Sequence, residues 1–299
     1  MALRFVAILA LLLASALTAF AADIRTARGT VDVAASPERV AVFDIAALDT
    51  LDRLGVKPAG LPEKLYLQQL EHLKSGAEVV GDIFEPDLEA LSALGPDLII
   101  LGGRSSTKVD AAAQVAPTID MTMDGDDLVE QAKARLSDYG LLFGREAEAE
   151  KIAAELDGEI DAARLATTGK GKALIIMTNG PKITAYGQGS RFGWVHATLG
   201  LPPAITDVQA ATHGEAVSFE FIHKANPDWL LVVDRASAIG SGEQSARATL
   251  DNELVAGTTA WKKGQVVYLP AADFYIAAGG IQATRRVMAT LREAFAAAR

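Results

Sequence analysis

Three arginines are the first residues whose placement points to chemistry. Arg104 and Arg235 stand at matching places in two related stretches, Glu89…Pro96-Asp97…Arg104 and Glu220…Pro227-Asp228…Arg235, at a constant offset of 131 residues. A gapless match of four spaced residues around one apolar pattern marks an internal repeat. In each copy a short helix runs up to the residue before proline, which disfavours the α conformation in its predecessor. Pro-Asp then turns the chain, and the apolar runs 98–101 and 229–233 read as buried strands, too short for helices. Both arginines therefore fall just beyond the C-terminal ends of equivalent strands, the edge at which open α/β sheets bind ligands. Arg191 precedes an apparent helix (192–199) in a glycine-rich stretch of the second half. Guanidinium groups match anionic oxygens with a planar fork of donors and stay charged at any working pH. Together the three predict a cleft for an anionic ligand.

Two further residues carry possible metal chemistry. Tyr275 reads as a loop residue between the strand 266–269 and the last helix. Its phenolate would be a hard anionic donor of the kind ferric iron takes, although a loop tyrosine is often simple packing. His213 lies in Ala211-Thr212-His213-Gly214-Glu215, a loop before a helix start at Ser218. Functional side chains gather in such loops, yet a lone histidine there is more often ordinary than a ligand. His72, His196 and His223 fall in apparent helices and read as structural or solvent-facing, with no partner pattern for His72. Asp124-Gly125-Asp126-Asp127 lacks calcium-loop spacing and reads as a solvated turn. The sequence contains no Gly-x-Ser-x-Gly, Walker loop, His-Glu-x-x-His or dinucleotide glycine fingerprint.

The elements that must position these residues also repeat. Stretches 39–43 and 172–177 read as buried strands, each leading to a helix that ends in Leu-Gly before proline, at Leu54-Gly55 and Leu199-Gly200. That offset is 145, so the second half carries about 14 extra residues, within 178–192. Residues 126–165 have helical spacing interrupted near Phe143-Gly144, and their second part reads as a rigid connector between lobes. The expected fold class is α/β, with two lobes that each hold a central, mainly parallel sheet flanked by helices, joined by a long connecting helix. The expected divisions are a leader over 1–21, a first lobe over 22–143, the connecting helix over 144–168 and a second lobe over 169–299.

Bulk properties narrow the setting. A short positive start, an apolar run over 5–17 and Ala19-Phe20-Ala21 form the pattern of a cleaved secretory leader. With no cysteine among 299 residues, disulfides, thiolate metal sites and a lipidated cysteine after the leader are not expected. The net charge of −10 argues against nucleic acid and anionic membrane surfaces as partners. An exported, unlipidated monomer retained in a bacterial periplasm fits these properties.

In order along the chain, Val42-Phe43-Asp44-Ile45, Gly103-Arg104, Ser190-Arg191-Phe192-Gly193-Trp194, His213-Gly214-Glu215, Val233-Asp234-Arg235 and Thr249-Leu250-Asp251-Asn252 resemble class III periplasmic substrate-binding proteins of iron–siderophore ABC importers. The likeness is to the branch handling catecholates of the petrobactin and enterobactin type. It implies a binding protein and no enzyme, with no intrinsic cofactor: Fe(III) arrives within the siderophore. It further implies that Arg104, Arg191 and Arg235 hold an anionic ferric catecholate, and that His213 and Tyr275 complete the iron's coordination when the siderophore supplies four donors. Glu89 and Glu220 would dock the two lobes to an inner-membrane permease dimer; a carboxylate in a first helical turn is also favoured by the helix dipole. Haem or cobalamin on the same fold is one alternative, since haem also takes tyrosine or histidine. A periplasmic hydrolase or metal-dependent enzyme is another. Direct zinc or manganese binding ranks lower, because the four histidines do not cluster in sequence.

Overall fold

The computed structural model describes residues 21–123, 125, 127–206 and 214–298. Strands β1 (Ala21–Thr26) and β2 (Gly29–Ala34) form an antiparallel hairpin that the sequence reading did not anticipate, and Ala21, read as the last leader residue, pairs with Ala34. The hairpin then gives way to two sheets, one built from each half of the chain.

The first sheet contains β3 (Val40–Val42), β4 (Gly60–Leu61), β5 (Glu78–Val79), β6 (Leu98–Leu101) and β7 (Thr118–Asp120), in the order β5-β4-β3-β6-β7. Every pairing within it is parallel. All four residues of β6 are buried, as a strand covered on both faces requires. The second sheet contains β8 (Ala173–Asn179), β9 (Lys182–Tyr186), β10 (Glu215–Val217), β11 (Trp229–Asp234) and β12 (Val266–Tyr268), in the order β10-β9-β8-β11-β12. Here β8, β11 and β12 are parallel, while β9 and β10 are antiparallel additions. The extra residues of the second half thus supply a β-hairpin closed at Gly180, whose φ of 56° suits the tight turn.

The repeated helices are Leu88–Leu94 and Phe219–Ala225. Asp87 and Ser218 cap their N-termini through side-chain acceptors, and Gly95 and Asn226 end them in the left-handed conformation immediately before proline. Helices Leu128–Phe143 and Glu146–Thr167 meet at left-handed Gly144, and the second is the long helix that links the lobes. The final helix, Ile281–Ala297, lies along it. Trp229 of β11 stacks on Phe295 with ring centroids 3.7 Å apart, fastening the final helix to the second sheet. On the outer side, Arg53 reaches Glu148 and Glu155, Arg285 reaches Glu155, and Arg292 reaches Glu159. One continuous apolar core runs beneath both sheets through these helices, with smaller cores on the sheets' other faces. Among the described residues no helix is long and apolar enough to cross a membrane.

Candidate ligand-binding cleft

Both sheets reverse their strand order at a central pair, β3 beside β6 and β8 beside β11. A crevice opens outside the carboxyl ends of strands at such a switch point. Asp44 follows β3 and Arg104 follows β6; Asn179 ends β8 and Arg235 follows β11. The two repeat-related arginines therefore occupy equivalent crevices. Gly102 permits the close packing beneath Arg104, because a Cβ there would lie 2.8 Å from Asp44 Oδ2. Asp44 caps helix Ile45–Arg53, accepting from the Ala47 amide at 2.8 Å. Burial pushes its carboxyl above the ordinary value, against the opposing pull of that amide and of Arg104.

The arginines of both lobes converge on Tyr275. Arg104 crosses from the first lobe and donates to the carbonyls of Tyr275 at 2.9 Å and Ile276 at 3.3 Å. Arg191 donates to the same Tyr275 carbonyl at 3.4 Å. Arg235 donates through Nε to the Tyr275 hydroxyl at 3.3 Å and through Nη1 to Asn179 Oδ1 at 3.0 Å. Their guanidinium carbons stand 5.1, 4.8 and 5.8 Å from the Tyr275 ring centre, within cation–π range. Partial burial raises the Tyr275 phenol, but the Arg235 hydrogen bond and the three positive charges outweigh it and hold the pKa below the ordinary value. Burial, followed by the charge of Arg104, lowers that of Arg191. The arrangement concentrates positive charge in a partly dry cleft and places within it one phenol whose pKa is held below its ordinary value.

An aromatic floor fixes the second-lobe side. Tyr186, Phe192, Phe274 and Trp194 form a chain of ring contacts with centroids 4.5, 4.6 and 5.6 Å apart. This packing seats the 187–193 turn, and so Arg191, against the helix that carries Tyr275. Burial pushes the Tyr186 phenol up to about 12, although Arg191 and Arg235 lie close enough to oppose it. A second bridge crosses the cleft where Lys64 donates to the Ile239 carbonyl at 2.6 Å, its ammonium 4.6 Å from the Tyr66 ring centre. Tyr66 adopts a φ of 64°, a left-handed conformation uncommon for a bulky residue and frequent where function holds strain.

Several sequence expectations take a different form. Tyr275 is no loop residue: it ends the short helix Ala271–Tyr275, for which Pro270 is the N-cap residue. His72 does have partners, Asp52 Oδ1 and the Gln69 carbonyl, each at 2.8 Å. His196 is buried against the Leu201 carbonyl and His223 bonds the Leu254 carbonyl. His213 and the acidic positions Asp124 and Asp126 lie outside the described residues. Glu89 and Glu220 are both exposed in the first turns of the repeated helices. A hydrogen bond with Ser218 lowers the Glu220 carboxyl below its ordinary value, keeping it ionised. Asn179, Lys64 and Tyr66 were missed. The strand-end position of Asn179 beside Arg235 was available as a signal, as was the place of Lys64 and Tyr66 just past β4.

Residues 40–272 match the profile of the periplasmic binding protein family. The chain belongs to that family. Among its members, the petrobactin-binding protein YclQ of Bacillus subtilis is 36% identical over 262 residues, covering 86% of this chain and 82% of its own. The ferric-anguibactin-binding protein FatB of Vibrio anguillarum is 32% identical, covering 84% and 80%. The crystal structure of YclQ superposes with a TM-score of 0.87 at 33% identity, covering 92% of this chain and 99% of that one. The catecholate-siderophore binding protein VctP of Vibrio cholerae gives 0.84 at 30% identity, covering 92% and 100%. Periplasmic binding proteins hold and hand over a substrate without transforming it.

Proposed function

We propose that this protein captures an anionic ferric catecholate siderophore in the periplasm and delivers it to an inner-membrane ABC permease. The observation that carries the reading is the convergence of Arg104, Arg191 and Arg235, from both lobes, on the single point occupied by Tyr275. A ferric tris-catecholate is trianionic. Its anionic oxygens would offer Arg104 hydrogen bonds in which donor and acceptor are both charged, in place of those to the neutral carbonyls it now holds. A ferric hydroxamate, neutral or cationic, gains little from the same exchange. The petrobactin-binding and catecholate-binding relatives support this class of ligand.

Tyr275 and His213 would complete the iron's coordination when a siderophore leaves two positions open. The lowered phenol supports Tyr275 as an anionic oxygen donor; His213 rests on its loop position and the family resemblance. Glu89 and Glu220, exposed, ionisable and related by the repeat, fit equivalent contacts on the two halves of a permease dimer. The protein works as a monomer of two lobes, 22–143 and 169–299, spanned by the connector 144–168. A secretory leader over 1–21 delivers it to the periplasm, and the sequence offers no cysteine for a lipid.

Fluorescence-quenching titration with ferric petrobactin, a ferric hydroxamate and haem tests the reading. Tight binding of ferric petrobactin with at least tenfold weaker binding of the others is expected. Preference for the hydroxamate, or a haem complex with its own visible spectrum at comparable affinity, would overturn it.

A further inference from the structure

Two buried aspartates share one partly exposed arginine beside the helix that carries Tyr275. Arg286 of the final helix donates from Nη2 to Asp49 Oδ1 at 2.8 Å, and from Nη2 and Nε to Asp273 Oδ1 at 2.7 and 3.0 Å. Asp49 belongs to helix Ile45–Arg53 of the first lobe, whereas Asp273 lies in the helix that ends at Tyr275. Asp49 and Asp273 are 0% and 6% exposed. The other contacts also join these elements across the lobes. Asp49 Oδ2 accepts from the Ala283 amide at 2.9 Å, the Asp49 carbonyl accepts from Gln282 at 2.9 Å, and Thr50 Oγ1 accepts from the Ile281 amide at 3.2 Å. Gly280 makes this approach possible, since a Cβ there would lie 2.7 Å from Asp49 Oδ2.

We propose that Asp49, Arg286 and Asp273 are positioning residues for the cleft, fixing the 273–280 segment between the lobes and thereby setting where Tyr275 meets the three arginines. The inference deepens the ligand-site reading and rests on it. Two carboxylates sharing one guanidinium are a poor source of stability, because desolvation offsets much of the attraction and apolar packing often does as well. What such a cluster supplies is a defined geometry. Burial pushes the Asp49 carboxyl up to about 6, against the Ala283 amide and Arg286, so the carboxylate is held where water would solvate it better. Neighbouring charges have other partners: Asp52 bonds His72 and Gln282, Arg53 bonds Glu148 and Glu155, and Arg285 bonds Glu155. The cluster therefore ties the segment two residues from Tyr275 to both the first-lobe helix and the final helix.

The test uses the full mature protein with Arg286→Met, which keeps bulk and removes charge, and Asp273→Asn, which weakens only the arm nearest Tyr275. Two quantities are measured. One is affinity for ferric petrobactin. The other is the ultraviolet titration of the Tyr275 phenol, isolated by subtracting the Tyr275→Phe protein. The expected result is a higher phenol pKa in both variants, as Tyr275 moves away from the guanidinium groups. Affinity should fall by about tenfold, the lower end of what losing supporting hydrogen bonds costs a metal site. An unchanged phenol titration in a folded Asp273→Asn protein would overturn the proposal, as would full affinity in both variants. Arg104→Ala measured alongside separates the two readings: undiminished affinity there would defeat the ligand-site reading, while the phenol titration still reports on positioning.

Discussion

At the scale of single residues, one ring feels three cations and its neighbour is buried beside them. Tyr275 and Tyr186 consequently depart from ordinary tyrosine behaviour in opposite directions. Ultraviolet titration of the ligand-free protein, compared with Tyr275→Phe and Tyr186→Phe, should assign the lower-titrating phenol to Tyr275 and one near 12 to Tyr186. The reverse assignment would mean that the guanidinium groups do not surround Tyr275. Arg104 and Arg235 were legible in the sequence because each ends a copy of a repeat, and strand-end position has a physical meaning. Tyr275 was legible as a residue but not as a meeting point, since its contacts join positions up to 171 residues apart. Lys64 acquires its role only when two lobes come together, an approach that local pattern does not encode.

At the scale of elements, the repeated helix sets where Glu89 and Glu220, the proposed permease contacts, stand on each lobe. Each helix is short, so its N-cap matters in proportion. Asp87→Ala and Ser218→Ala should each lower stability by about 1 kcal/mol in chemical denaturation. A loss confined to one copy would show that the two units are not equivalent in cap energetics. The apolar pattern disclosed β6 with both ends in place and β11 one residue short at its end, and proline and glycine marked the helix stops. It disclosed neither the β1–β2 hairpin nor the antiparallel character of β9 and β10. In β1, apolar Ala22 and Ile24 alternate with exposed Ala21, Asp23 and Arg25, a two-residue period too short to separate from the apolar leader beside it. The glycine-rich composition of 178–192 obscured β9, whose strand residues occupy a minority of the insertion.

At the scale of the whole molecule, the linking helix, the final helix and the ion pairs along them hold the lobes together. Asp49 lies at this junction, and its folded-state pKa of about 6 stands above its ordinary value of 3.8. Folding thus favours its protonated form. Its contribution is full below pH 3.8 and is lost as pH rises through 6. Over that window the group withdraws about 3 kcal/mol at most, by proton linkage. Urea denaturation from pH 4 to 7 should therefore show a smaller decline for Asp49→Asn than for the wild type. Parallel curves would show that Asp49 is solvated like an ordinary aspartate and that the junction is looser than described.

The central claim is that charge matching between three converging arginines and an anionic ferric complex defines this cleft. Its most direct test is the affinity of Arg104→Ala and Arg235→Ala for ferric petrobactin and for a ferric hydroxamate, in the same buffer and at the same salt. Each variant should lose much more affinity for the catecholate than for the hydroxamate. Equal losses on both ligands, or none on the catecholate, would contradict a charge-matching pocket.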